Sequence, residues 1–151
     1  MGTESAAGLP AEERLGFHVK RVEQELMALK HAALKPSGLT VPQYTALFML
    51  DGQAGISGAA LARGCLVTPQ TMSTILANLE AKGLVERTQH PWHRNVLETH
   101  LTEQGRQALA VADAAAVAVE RRMGAGLSAA ERAQLIALLG RCSAQLAAED
   151  A

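Results

Sequence analysis

The sequence predicts a mainly α-helical fold with one small β-hairpin, its central unit set between helices from the two chain ends. Three observations lead there. Apolar residues make up 48% of the 151 positions and aromatics only 3%, so the core is mostly Leu, Ala and Val, and such Leu and Ala density favours helix. Near both ends, apolar residues recur at alternating steps of three and four, the period of one helix face. Between them, from Val96 to Leu101, the period falls to two, as a strand requires.

Residues 1–10 carry Gly, Ser and Pro with little to bury and read as a flexible arm. From Ala11 the pattern is helical: Leu15, Val19, Val22, Leu26, Leu29 and Ala33 form one stripe. Pro36 and Gly38 in "KPSG" stop it. Thr40 then caps a second helix, Gln43 reaches back to it, and Pro42 suits its first turn. That helix ends near "DGQAG". Ser57 caps a short one, "GAALARGCL", and Thr68 caps the next, "TPQTMSTILANLEAKG", which Gly83 terminates.

Two strand-like runs follow, joined by His90-Pro91-Trp92-His93-Arg94-Asn95, which holds the single Trp. Thr102 caps a further helix with Glu103 in its first turn, where the helix dipole favours a carboxylate. Leu109, Ala112, Ala116, Val119 and Met123 stripe it. Ser128 and Glu131 form a capping box for the last helix, striped by Leu135, Leu138, Leu139, Cys142 and Leu146. One intertwined domain is expected, with residues 39–102 as its centre and residues 11–38 and 103–148 as its terminal helices.

The formal charge of −1 and a sequence pI near 6.5 exclude a uniformly basic nucleic-acid binder. Residues 58–106 nevertheless hold five basic side chains against four acidic ones, and three of the five histidines. Cys65 and Cys142 match no metal or redox spacing, and both read as small buried apolar residues. No run is long and apolar enough for a membrane span, and the first residues lack the features of a signal peptide, so a cytoplasmic chain is expected. No nucleophile with an arranged base, Gly-rich phosphate loop or paired carboxylates appears, so no enzyme activity, metal or cofactor is expected.

The segment after Thr68 has two faces. Met72, Ile75, Leu76 and Leu79 cluster on one side and must be buried. Gln70, Thr74 and Ala77 lie opposite, flanked by Thr71, Ser73 and Asn78. A solvated face normally carries Glu and Lys, whereas Gln, Thr, Ser and Asn can donate and accept at base edges in a major groove. The N–H groups at Thr68 to Thr71 can meet a phosphate. Contact with water alone would also suit this face. A short helix, a turn and this helix make a helix-turn-helix, and a hairpin beside it is a wing. Arg94, with His93 and Asn95, would then reach the backbone or minor groove. Trp92 is expected to pack on its own hairpin or on a dimer neighbour rather than on bases.

The stretch Leu39 to Gly105, with "LTVPQYTALFML", "SGAALARGCLVTPQTMSTILANLEAKGLVERT" and "LTEQG", resembles the MarR (multiple antibiotic resistance) family of winged-helix bacterial transcription regulators. "GLSAAE" is similar to the start of the family's last helix, and the similarity covers nearly the whole chain. The resemblance implies a homodimer whose terminal helices interleave. It also implies binding to a pseudo-palindromic operator in double-stranded DNA, usually as a repressor, with release by a small, often aromatic or phenolic, effector or by an oxidant. The family's wing reads Asp-Pro-x-Asp-x-Arg; here those positions hold His90, Pro91, His93 and Asn95, and Arg94 stands one place before the expected Arg.

Taken as residues 12–35, the first helix would span ~36 Å, a strut matching the roughly 34–36 Å between successive major grooves. Arg14, His18 and Arg21, off its apolar stripe, are candidates to hold an anionic effector, with His31 and Tyr44 as further candidates; a solvated basic face accounts for the same pattern. A helical homodimer that binds a ligand or protein and has lost DNA affinity is the competing reading, motivated by the altered wing and the acidic pI.

Overall fold

The computed structural model describes residues 8–148; the flexible arm expected for residues 1–10 thus lies largely outside the described residues. Six α-helices and one hairpin follow in order: α1 (Leu15–Leu34), α2 (Val41–Gly52), α3 (Gly58–Gly64), α4 (Pro69–Ala81), β1 (Val85–Gln89), β2 (Leu97–Leu101), α5 (Glu103–Met123) and α6 (Ala129–Ala147). Among the described residues no helix is long and apolar enough to cross a membrane.

The local start signals act as the sequence predicts. Thr40 and Gln43 form a reciprocal capping box on α2, and Ser128 and Glu131 form another on α6. Thr68 accepts from the Thr71 N–H at the head of α4. At the other end Gly83 takes a φ of +72°, and the N–H of Leu84 reaches the carbonyl of Leu79 while that of Gly83 reaches Glu80. This paired closure needs a left-handed residue, which glycine supplies without strain.

The first helix departs from expectation. Ala11–Glu13 form a separate 3₁₀ turn, Arg14 is extended, and α1 begins only at Leu15. Side chains make this break: Arg14 Nε donates to the Leu9 carbonyl, and His18 Nε2 donates to that of Glu12. The 20-residue α1 therefore spans ~30 Å rather than ~36 Å.

The core lies in the central unit. Leu47, Leu61, Met72, Leu76 and Leu79 from α2, α3 and α4 are buried together with Leu84, Val85 and Leu101 of the hairpin. Leu34 of α1 and Leu109, Ala112 and Ala116 of α5 close it from outside. β1 and β2 are antiparallel, with Val85 opposite Leu101 and Gln89 opposite Leu97. The connection before α3 adds a fragment of third strand, where Ser57 pairs with Glu98.

The outer helices differ from the centre. No residue of α6 is buried, and Leu135, Ile136, Leu138, Leu139 and Leu146 all face outward. Leu15 and Val19 of α1 face Leu135, Leu138 and Leu139 across a groove of about 860 Å³. Cys142 lines this groove and is exposed, so it is not the buried apolar residue the sequence suggested. Among the described residues nothing buries its stripe. Cys65 does pack against the core, and burial pushes its thiol pKa up.

Candidate nucleic-acid interface

The α4 helix presents the two faces its sequence dictates. Met72, Ile75, Leu76 and Leu79 are buried, while Gln70, Thr71, Ser73, Thr74, Ala77 and Asn78 are all exposed. The Thr68 hydroxyl accepts from the Thr71 N–H and donates to Thr71 Oγ1 at 2.9 Å, so one side-chain pair orders the first turn. Thr74 Oγ1 bonds back to the Gln70 carbonyl, a contact that helical Thr makes when no better partner is offered. The amide heads of Gln70 and Asn78 stay available on the same cylinder.

Several contacts fix the wing against this helix. Arg87 of β1 donates from Nε to Glu80 Oε2 of α4 at 3.2 Å. Thr102 donates to the Gly83 carbonyl at 2.6 Å and its N–H reaches the Leu84 carbonyl, tying the end of β2 to the end of α4. Lys82, at the α4 C-cap, donates to the Gly38 carbonyl and to Gln43 Oε1 and so anchors α4 to the start of α2. These ties run to backbone carbonyls or join side chains of different elements, so α4 and the wing hold a defined relation. None of Arg87–Glu80, Lys82–Gln43 or Thr102–Gly83 was singled out by spacing, because each links different elements.

At the wing tip His93, Arg94 and Asn95 are exposed together, as expected for a surface that meets DNA. Trp92 is 85% exposed and does not cover its own hairpin, which corrects half of the expectation for it. The tip turn uses backbone bonds from His90 to Val96 and from Val96 to His93, both at 2.9 Å. His90 and His100 flank Glu98, a residue that no spacing in the chain selects.

The five effector candidates are not gathered into one pocket. Arg14 is engaged with Leu9, and His18 lines the groove between α1 and α6. Arg21 is exposed. His31 Nδ1 donates to the Met27 carbonyl at 2.8 Å, and it stands thirteen residues, ~20 Å, along α1 from His18. Tyr44 is buried on α2 and its hydroxyl donates to Asp113 of α5. Burial, that bond and the nearby charges of Asp113 and Glu120 push its phenol pKa well above the ordinary value. A carboxylate effector would meet those two acids there. Phe48, half exposed, lies beside Tyr44 with ring centroids 6.1 Å apart and offers an aromatic face.

An exposed, uncharged, hydrogen-bonding helix after a short helix and turn, buttressed by a hairpin, defines a winged helix-turn-helix protein. A profile of the MarR family matches residues 37–94. The chain is 37% identical to the HTH-type transcriptional repressor Rv2887 of Mycobacterium tuberculosis, over 87% of this chain and 95% of that protein. It is 34% identical to a putative transcriptional regulatory protein for the hcr operon of Thauera aromatica, over 84% of this chain and 77% of that one. Among solved structures, Rv2887 in complex with salicylic acid superposes with a TM-score of 0.68 at 36% identity, covering 91% of this chain and 99% of that one. The transcriptional repressor CouR, bound to a 23-mer DNA duplex, superposes with a TM-score of 0.82 at 27% identity, covering 93% and 99%. The chain belongs to the MarR family of transcriptional regulators.

Proposed function

We propose that this chain is a homodimeric repressor whose α4 helices read the two halves of a pseudo-palindromic operator and whose grip is released by a small aromatic or phenolic effector. The observation that carries the reading is one face of α4: Gln70, Thr71, Ser73, Thr74, Ala77 and Asn78 are exposed there, none is charged, and an exposed wing stands beside them. Gln70, Ser73, Thr74 and Asn78 serve base edges, while Thr68, Thr71, His93, Arg94 and Asn95 serve phosphate, sugar or the minor groove. Residues 39–102 form the DNA-binding part.

Residues 11–38 and 103–148 form the dimer part. Leu15 at 68%, Ile136 at 72% and Leu146 at 88% exposure are a large apolar surface for one small chain, and a second copy covers it. The effector reading draws on the salicylic acid complex of Rv2887. Within this chain it is supported by Phe48 beside Tyr44, on the helix that joins the core of the winged unit to α5. Arg14, His18, Arg21 and His31 remain candidates for an anionic group only where a second copy brings them together.

A gel shift against DNA from upstream of the chain's own gene, at two salt concentrations, tests the reading. A repressor gives a sequence-preferring complex that weakens steeply with salt, as release of counterions from several phosphates requires. A dimer that has lost DNA binding gives no sequence-preferring complex at either salt. Salicylate added to the complex then tests release.

A further inference from the structure

One imidazole holds the wing tip. The backbone N–H groups of Trp92 and His93 both donate to Nδ1 of His90, each at 3.2 Å. A ring nitrogen accepts only when it carries no proton, so the hydrogen of the neutral ring sits on Nε2. That Nε2 lies 3.4 Å from Oε1 of Glu98 on β2. The acceptor role of Nδ1 selects the tautomer, and the Glu98 carboxylate lies close to the other nitrogen.

We propose that His90 is a positioning residue for DNA binding: its neutral Nε2–H form holds the turn that presents His93, Arg94 and Asn95, and protonation at Nδ1 releases that turn. The inference rests on the reading of the wing as a DNA contact. A proton on Nδ1 would face the two N–H groups it now accepts, three donors with no acceptor, so both bonds must break. The Nε2 contact with Glu98 survives, because a carboxylate suits a charged ring as well as a neutral one. Protonation therefore costs the turn its acceptor and leaves the Glu98 contact in place.

The surrounding groups come from both strands and from the connection before α3. Glu98 is shared, since His100 Nε2 lies 3.3 Å from its other oxygen. The His93 ring lies 5.1 Å from that of His90, and Arg94 follows in the same turn. Gly55, from the connection between α2 and α3, packs on Glu98 and His100 and brings no charge. Acidification ordinarily strengthens attraction to DNA by charging histidines. Weaker binding at low pH is thus a signature of this device.

The test uses the full chain and two variants. His90→Asn supplies an amide oxygen that accepts the same two N–H groups and does not titrate; His90→Phe supplies no acceptor. Nitrogen-15 spectra of the free protein are expected to show His90 as the Nε2–H tautomer, with the Trp92 and His93 amide signals moving at the midpoint of His90 itself. Trp92, the single Trp, gives a fluorescence readout of the same step. On the upstream duplex at constant salt, going from about pH 7.5 to about 5.5, wild-type affinity should fall about tenfold, the effect of one or two net hydrogen bonds. His90→Asn should hold or gain affinity across that range, and His90→Phe should be weaker than wild type at about pH 7.5. An Nδ1–H tautomer, amide signals that ignore His90, or an equal fall in His90→Asn overturns the proposal. No sequence-preferring complex at any pH overturns instead the DNA-binding reading, and the tautomer measurement separates the two failures.

Discussion

The Tyr44 hydroxyl on α2 donates a 2.7 Å hydrogen bond to Oδ1 of Asp113 on α5, joining residues 69 positions apart. It links the winged unit to a helix of the proposed dimer part, beside the exposed ring of Phe48. Whatever displaces it alters how α2 sits on α5. Tyr44 is the single tyrosine, so its ionisation can be followed by ultraviolet absorbance alone. Its folded pKa is raised by burial first and by Asp113 second. The sign follows: the stabilisation is present in full below the unfolded value near 10 and is lost as pH rises past it toward the folded value. The native chain is expected to show no tyrosinate at about pH 10.5, where the urea-unfolded chain is mostly ionised. Equal titration in both states would contradict the bond.

Gln70→Ala or Thr74→Ala should weaken binding to the preferred operator by roughly 5- to 100-fold, and binding to random DNA little, if these side chains read base edges. Both are exposed, so the melting temperature should stay within about 2 °C. Arg94→Ala should weaken both duplexes alike through a phosphate. Competition gel shifts with the two duplexes check this, and equal losses for all three variants would remove the base-reading role from α4.

What the sequence made legible is local. The caps at Thr40, Thr68, Thr102 and Ser128 each act within three residues, so spacing reveals them. The buried face of α4 follows from the helix period alone. The break at Arg14 was not legible, because it comes from a side chain bonding to Leu9 and interrupts an otherwise helical pattern. Tyr44–Asp113 and Lys82–Gln43 join separate elements, and no period reports on such pairs. The apolar stripe on α6 is plain in its period, but only the fold shows that nothing among the described residues buries it.

Gly105 occupies the first turn of α5 directly against the end of α4. A Cβ there would overlap the Leu84 carbonyl oxygen, which is backbone held by its bond from the Thr102 N–H. Relief requires the hairpin to shift. Gly105→Ala should cost about 1–3 kcal/mol in urea unfolding. An unchanged midpoint would mean that α5 and β1 approach less closely than described.

Leu139→Glu places a carboxylate in the groove between α1 and α6, on a helix whose residues are all exposed. The winged unit should keep its fold, because no core residue changes. Sedimentation should show the dimer converted to monomer and the operator complex lost together. A stable dimer in this variant would move the interface elsewhere.

The central claim is that two α4 helices meet successive major grooves of one duplex. Hydroxyl-radical footprinting of the operator complex tests it most directly. The account predicts two protected tracts whose centres lie about 10 base pairs apart, one turn of the double helix. A single tract, or protection that does not depend on sequence, would contradict it.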